Sequence, residues 1–315
     1  LEHLLVYLIF FIGLAMIVKC ADWFVESAVL IAYKTGLPQV LMGSTLVSLA
    51  TTLPELVVSS FASYNGHPGM AIGNAIGSTI CNTGLILGST AIIKPFYISR
   101  RFFVLKSLFM LAAAGFVFCA SKDLTIGGKE SVILLIMLIG YGVLNFYEIK
   151  TTKNRVEKPV ASDDLTILTL IKFVSGALGV VLGAELVVNK GVVIANILGV
   201  PERVISLTMI ALGTSLPEFI TSITALIKGH QSISVGNILG ANILNLLMVL
   251  GVASAISPLT MSRHAFVFDL PISIFMIILL LVMAFTDRKI ERWEGFVLFA
   301  AYVFYLMSLA LIFFD

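Results

Sequence analysis

The sequence predicts an all-α polytopic membrane protein of ten transmembrane helices, arranged as two inverted five-helix repeats. Three observations carry that prediction. Of 315 residues, 59% are hydrophobic and only 12% charged, with a mean hydropathy of +1.05. Water-soluble globular chains hold about 25% charged residues, so this chain has too few to cover a water-facing surface. Second, Thr51-Thr52-Leu53-Pro54-Glu55 recurs 163 residues later as Thr214-Ser215-Leu216-Pro217-Glu218. Third, each half divides into five apolar runs. Five is odd, so the second half enters the bilayer from the side opposite to the first.

Turn and charge signals mark the runs in order. The first repeat, residues 1–150, reads as Leu4–Lys34, Pro38–Tyr64, Met70–Lys94, Phe102–Ala120 and Ser131–Lys150. The second, residues 165–315, reads as Leu165–Gly199, Pro201–Lys228, Ile233–Ile256, Ala265–Phe285 and Trp293–Phe313. The most hydrophilic stretch, Thr151–Asp164, joins them. A spanning helix needs about 20 mostly apolar residues, and each run supplies that. The runs are continuous rather than alternating, which disfavours a β-barrel. The first run lacks a small-residue cleavage site followed by a soluble domain, so it is expected to be a span. The repeat register needs no gap from Ala21 to Pro95. It pairs Gly36 with Gly199, Gly73-Asn74 with Gly236-Asn237, Asn82 with Asn245 and Pro95 with Pro258.

Charge orients the chain. With ten spans, thirteen lysines and arginines, Lys106 among them, fall in loops on one side. Four fall on the other: Lys122, Lys129, Arg203 and Arg263. The positive-inside rule then places the 151–164 linker in the cytoplasm and both termini outside. The net charge of +2 and the absence of a basic block give no sign of nucleic acid. Cys20, Cys81 and Cys119 are odd in number and far apart, which reads as small buried hydrophobes rather than a disulfide or zinc framework. His3, His67, His230 and His264 fall at loops or termini. No H-E-x-x-H, G-x-S-x-G or phosphate-binding loop occurs, so neither a hydrolase nor an ATP-driven machine is indicated.

Two acidic residues inside spans carry the chemistry. A charge at the centre of a bilayer helix costs at least about 2.5–3.5 kcal/mol, so Glu55 and Glu218 are functional candidates. A protonated structural Glu is the alternative for either alone; equivalent places in both repeats argue against it. Pro54 and Pro217 lack an N–H and are expected to break the helix before each Glu. Thr51 lies four residues before Glu55, and Thr214 four before Glu218, so each pair shares a helix face. Thr52 and Ser215 add hydroxyls. Back-bonding to the helix is the competing role for all four. The next span adds Ser78 and Asn82 in the first repeat and Asn245 in the second. Asn74 and Asn237 read either as part of this wall or as partners of broken backbone. Glycines spaced by four, Gly73 with Gly77 and Gly236 with Gly240, permit close helix approach. The set is all oxygen, which suits a hard cation such as Ca²⁺ and disfavours softer transition metals. Asp22, Glu26 and Glu185 lie in apolar segments and read first as interfacial or helix-capping residues, with ion entry second.

At these residues the blocks Gly43–Gly88 and Ser206–Gly251 resemble the α-repeats of the sodium/calcium exchanger family, in its compact prokaryotic form. The family's G-T-S-L-P-E signature stands at Gly213–Glu218 and, with Ala50 and Thr52 varied, at Ala50–Glu55. The resemblance implies four ion sites near the membrane midplane. Ca²⁺ would be held by Thr51, Glu55, Thr214 and Glu218. Na⁺ would use those glutamates with the Ser48 and Ala211 carbonyls, Thr52, Ser215, Ser78 and Asn82. Two positions depart from many prokaryotic relatives: Ala241 stands where a Ser is common, and Asn245 where an Asp is common. The potassium-dependent branch typically carries that Asp, so its absence argues against K⁺ coupling. Ala75 and Ile76 follow Asn74 where the proton-coupled branch usually has an acidic residue, which favours Na⁺ over H⁺.

The implied function is Na⁺-driven Ca²⁺ antiport by alternating access in the cell membrane. Na⁺ and Ca²⁺ would be substrates, with no organic cofactor, no enzymatic step and a monomer as the working unit. H⁺ coupling through the same glutamates and a cation channel lined by acidic residues are the alternatives. The long first span of each half is expected to slide against the rest, eased by Gly13, Ala15, Gly176 and Gly179.

Overall fold

The computed structural model describes residues 2–97, 100–152, 166–199, 213–286 and 289–314. The chain is built of apolar helices. The first repeat holds α1 (Glu2–Thr35), α2 (Gln39–Tyr64), α3 (Pro68–Ile93), α4 (Arg100–Ala120) and α5 (Gly128–Thr152). The second holds α6 (Ile167–Ile197), α7 (Leu216–Ile227) and α8 (Gln231–Ile256). It ends with α9, a π-wound Ala265–Asp269 continuing as Leu270–Thr286, and α10 (Arg292–Phe314). Wherever a run is described from end to end, its helix ends within three residues of the sequence reading. Outer faces expose side chains such as Phe11, Ile139, Phe146 and Phe304, the surface that lipid would cover.

Among the described residues nine helices are long and apolar enough to span a bilayer, and α7 is a shorter apolar helix. The upstream part of the Pro201–Lys228 run, and most of the Thr151–Asp164 linker, lie outside the described residues. Strand pairing nevertheless fixes the count. Four two-residue strands, β1 (Phe96–Tyr97), β2 (Thr125–Ile126), β3 (Leu259–Thr260) and β4 (Lys289–Ile290), form two antiparallel pairs, β1 with β4 and β2 with β3. Paired strands share one side of the membrane, so the chain crosses an even number of times between them. From β2 to β3 it passes α5, α6 and α8, which is odd. Counting α7, the shorter apolar helix, as a crossing makes the number even and the total ten.

The repeats are visible in the packing. β1 and β3 are repeat equivalents, as are β2 and β4, so each strand pair is the image of the other. α3 packs on α10, and its repeat-mate α8 packs on α5, while α4 packs on α9 and α1 on α6. Equivalent glycines also end equivalent helices: Gly36 and Gly199 after α1 and α6, Gly66 and Gly229 after α2 and α7, all with φ between +69° and +84°. Such a left-handed residue is nearly strain-free only for Gly. The following amides of His67 and His230 close back onto the carbonyls of Ala62 and Ala225, both at 2.8 Å.

Two expectations need correction. Lys106 does not lie in a loop; it sits in α4 and is fully buried. Moving it leaves the charge bias with the same sign. Pro54 does not break its helix, because Ser48–Tyr64 is continuous with Pro54 inside it. One missing N–H is tolerated in a spanning helix held by neighbours. Pro217, by contrast, stands in the first turn of α7, behind a non-helical Ser215. The break is thus confined to the second repeat.

Close helix approach depends on glycine at several seams, among them the α3–α10 seam, where Gly88 meets Gly295. Along α1 and α6, Gly13 faces Leu186 and Val187, Gly176 and Gly179 face Cys20 and Phe24, and Gly183 faces Ile17. Between α2 and α8, Gly43 meets Gly236, and Gly240 meets Ser44 and Ser48. A Cβ on Gly43 would fall 2.9 Å from the Asn237 nitrogen and 3.0 Å from the Gly236 Cα. Both contacts are backbone, so nothing flexible can yield. Gly43→Ala is expected to cost about 1–3 kcal/mol, read as a lowered Tm of the purified protein in detergent.

Candidate functional site

The site lies where α2 and α3 of one repeat meet α7 and α8 of the other. α2 contributes Ser48, Thr51, Thr52 and Glu55 from the helix that follows its π-turn, Gly43–Val47. α3 contributes Asn74 and Ser78, and Asn82 opens a second π-turn, Asn82–Leu87. In the other half Ser215 stands at the N-cap position of α7, without a side-chain capping bond, and Glu218 stands in its first turn, where unpaired N–H groups favour negative charge. α8 contributes Asn237, and Asn245 opens the π-turn Asn245–Val249, the repeat-mate of the one at Asn82. Such turns displace the helical hydrogen-bond ladder by a residue and recur at functional sites.

Glu55 and Glu218 are both 0% exposed. Neither oxygen of Glu55, nor Oε2 of Glu218, meets a hydrogen-bond donor among the described residues. The other Glu218 oxygen accepts from the Thr52 hydroxyl at 3.4 Å, so the two repeats' carboxylate-bearing segments meet in one cluster. No lysine, arginine or histidine pairs with either glutamate among the described residues. A buried carboxylate without a partner is costly, and two together repel.

A reciprocal pair of hydrogen bonds frames them. The Thr51 hydroxyl donates to Asn237 Oδ1 at 3.1 Å, and the Thr214 hydroxyl donates to Asn74 Oδ1 at 2.9 Å. Each Asn then donates to a serine of its own repeat, Asn74 to Ser59 at 2.9 Å and Asn237 to Ser222 at 3.2 Å. Asn74 also holds the Glu55 carbonyl at 3.2 Å. Using the hydroxyl proton on Asn leaves the threonine oxygens' lone pairs for another partner. Neither reading of Asn74 and Asn237 from the sequence named this role: they brace one repeat against the other, and the Glu55 carbonyl that Asn74 also holds belongs to an unbroken helix.

The remaining candidates divide. Ser78 lies 3.3 Å from the Thr214 hydroxyl, and Ser48 offers its carbonyl to Thr51 at 3.3 Å. Ala241, the repeat-mate of Ser78, has no hydroxyl to offer. Asn82, Asn245 and Ser215 are buried with side-chain polar atoms that meet no partner among the described residues. Ala211 lies outside the described residues. Of the three cysteines read as buried hydrophobes, only Cys81, beside Asn82, is buried; Cys20 is half-buried and Cys119 is exposed, on the outward face of its helix. Among the described residues no group of three or more His, Cys, Asp and Glu gathers; the chemistry on offer is two carboxylates among neutral oxygens.

Asp22 and Glu26 lie away from this cluster. Lys228, just beyond α7, bridges both, at 3.2 Å and 2.6 Å. The hydrogen bond it donates to Glu26 pushes the Lys228 ammonium above its ordinary pKa. The pair thus ties α1 to the end of α7, which fits the interfacial reading. Asp269 is a residue that sequence reading passed over. It lies inside the ninth apolar run and accepts from the Tyr305 hydroxyl at 3.1 Å.

A sequence model of the family described as sodium/calcium exchanger protein matches residues 5–147 and 168–311, one match per repeat. The chain belongs to the sodium/calcium exchanger family. It is 31% identical to the sodium/calcium exchanger MaX1 of Methanosarcina acetivorans, over 96% of this chain and 98% of that one. It is 34% identical to an uncharacterised membrane protein of Methanocaldococcus jannaschii, over 95% and 96%. Among solved structures it resembles the sodium-calcium exchanger NCX_Mj soaked with Na⁺ and Ca²⁺. The TM-score there is 0.84 at 32% identity, covering 97% of this chain and 98% of that one. Membership makes the chain a multi-pass membrane protein of an ion-exchanger family.

The reciprocal bracing is open to measurement. A double-mutant cycle between Thr51→Val and Asn237→Leu is expected to show a coupling of about 1 kcal/mol in thermal unfolding. The Thr214–Asn74 cycle is expected to match it.

Proposed function

We propose that this chain exchanges Na⁺ for Ca²⁺ across the cell membrane, by alternating access to a midplane site built on Glu55 and Glu218. The observation that carries the reading is the pair of fully buried carboxylates, one from each inverted repeat, with three of four oxygens unpartnered among the described residues. Two negative charges in a low-dielectric setting call for a compensating cation. Thr51 and Thr214, with their neutral oxygens, complete the hard-cation donor set for Ca²⁺. The same glutamates with Thr52, Ser215, Ser78, Asn82 and the Ser48 and Ala211 carbonyls would serve Na⁺, and Asn245 adds a further neutral oxygen. In this reading the cations are the substrates and no organic cofactor or enzymatic step is involved. The halves 1–150 and 165–315 are joined on the cytoplasmic side by 151–164, with both termini outside and a monomer as the working unit.

Alternating access needs two groups that move against each other around a fixed site. The α1–α6 pair, seamed by glycine, is the mobile group in this reading, and α2, α3, α7 and α8 stay with the ions.

The deciding assay is uptake of radioactive Ca²⁺ into proteoliposomes under Na⁺, H⁺ and K⁺ gradients in turn. Uptake driven by outward Na⁺ is expected; uptake driven only by H⁺ would reassign the coupling ion, and Ca²⁺ flux without counterflow would indicate a channel. Glu55→Gln and Glu218→Gln are each expected to abolish uptake while the protein remains monodisperse and folded. Normal uptake in either single variant would remove the shared-site reading.

Voltage supplies a further test. The ionised pair is neutralised by one Ca²⁺, whereas three Na⁺, the number suggested by family resemblance, leave one positive charge. Each cycle then moves one net charge, worth about 2.3 kcal/mol per 100 mV. Uptake is expected to follow an imposed membrane potential and to need no K⁺, because Asn82 and Asn245 cannot ionise. Indifference to voltage would indicate two-for-one exchange, with the missing hydroxyl at Ala241 as the cause.

A further inference from the structure

Lys106 is a charged residue that the ion site leaves unexplained. It lies inside α4 and is 0% exposed. Its ammonium stands 2.8 Å from Glu148 Oε2 and donates to Asn145 Oδ1, both on α5. The same ammonium lies over the Tyr141 ring, 4.8 Å from the centroid, and over Phe102 at 5.1 Å. Tyr141 in turn points its hydroxyl at α2 and donates to the Ser44 carbonyl at 2.8 Å.

Ser44 belongs to the π-turn Gly43–Val47, which feeds directly into the helix carrying Thr51 and Glu55. Its Cα and carbonyl form the wall against which Gly240 packs. A carbonyl in a π-turn is displaced from the regular helical ladder, and a hydroxyl from another helix can fix where it points. The line of contact therefore runs from a buried ion pair on α4 and α5, through one aromatic ring, to the turn that sets the angle of the candidate cation helix.

A buried ion pair is a weak source of stability, since apolar residues of similar volume often do as well. What it adds is direction. A cation over the face of a tyrosine holds the ring more strongly once both are desolvated. The repeat-mate site shows that the arrangement is not a by-product of the duplication. Asp269 stands 163 residues after Lys106 and Tyr305 stands 164 after Tyr141. The extra residue is confirmed by equivalent caps, Glu130 on the Gly127 amide and Glu294 on the Glu291 amide, both at 2.9 Å. There the tyrosine hydroxyl ends on the Asp269 carboxylate at 3.1 Å. Both halves thus hold an ionisable group beside a tyrosine, with opposite charge and a different destination.

We propose that Lys106 and Tyr141 are positioning residues for cation exchange: the Lys106–Glu148 pair fixes the Tyr141 ring, whose hydroxyl sets the π-turn of α2 and with it the placement of Thr51 and Glu55. The inference rests on the exchange function proposed above. Neither residue touches the cations, so their loss acts on ion affinity through the placement of α2.

The test compares Ca²⁺ uptake under an outward Na⁺ gradient in the unaltered protein, in Tyr141→Phe, and in the double variant Lys106→Met with Glu148→Gln. Tyr141→Phe removes one hydroxyl and keeps the ring. The double variant keeps volume and leaves no unpaired charge. Each is expected to raise the Ca²⁺ concentration for half-maximal uptake about fivefold, the worth of one hydrogen bond, with the maximal rate retained. A lowered maximal rate with unchanged half-saturation would show a merely structural role and overturn the inference. So would folded variants that match the unaltered protein in both quantities, and either result leaves Na⁺-driven exchange standing. No uptake by the unaltered protein would instead overturn the function itself, and the positioning role with it.

Discussion

Two like charges held out of water at one place are the constraint on which the rest of this structure turns. Glu55 and Glu218 have no basic partner among the described residues, and a protein that buried them for stability alone would lose by it. The surroundings hold them apart from other donors. Asn74 and Asn237 take up the threonine protons, the serines brace the asparagines, and three of the four carboxylate oxygens are left without a donor among the described residues. The glycine seam between α2 and α8 brings the helices close enough for those bonds to cross from one repeat to the other. Fold and site are therefore one object, because the contacts that join the repeats also line the cluster.

Duplication explains the regularity, and its lapses are informative. The Thr–Asn–Ser brace, the left-handed glycines, the π-turns at Asn82 and Asn245 and the two strand pairs all come in equivalent copies. Other features do not, among them the π-turn Ala265–Asp269, whose repeat-mate positions lie in regular helix. Ser78 faces Thr214, while Ala241 has nothing to offer Thr51. Lys228 bridges Asp22 and Glu26, while Asn65 stands at its repeat-mate position, where no cation can do the same. Lys106 is matched by Asp269. Inverted copies alone would make the two faces of the membrane equivalent to the protein; positions such as these are where it can tell them apart.

Much of this was legible in the sequence, for definable reasons. Long apolar runs and a gap-free register of identities fix span number, repeat and inversion, because the bilayer permits few alternatives. Buried acidic residues in equivalent places mark the candidate site. What escaped was whatever depends on contacts between residues far apart in sequence. The threonines that donate to Asn74 and Asn237 lie in the opposite repeat, so the brace was invisible beside the two readings left open, site wall and partner of broken backbone. Lys106 stands near the start of an apolar run, where a loop lysine and a buried one look alike until Glu148 and Tyr141 are seen beside it. Pro54 obeys a rule that holds for isolated helices, and the packing around α2 overrides it. Asp269 could have been found, as a lone acid inside an apolar run is itself a signal.

The exchange of partners between the halves bears on how the chain is made. α1 rests on α6, α3 on α10, α4 on α9, α5 on α8, and each short strand pairs with one from the other half. A ribosome delivers the first five helices well before the last five. Until α10 emerges, α3 lacks the helix that covers it, and the Gly84 and Gly88 surfaces that close on Tyr302 and Phe299 stand open. Contacts this distant in sequence form late and slowly. The first half must therefore wait in the bilayer as a set of individually stable helices without a finished interior, its glycine seams and polar side chains facing lipid or one another. The two repeats are copies in sequence, but neither is a unit that can complete its folding alone.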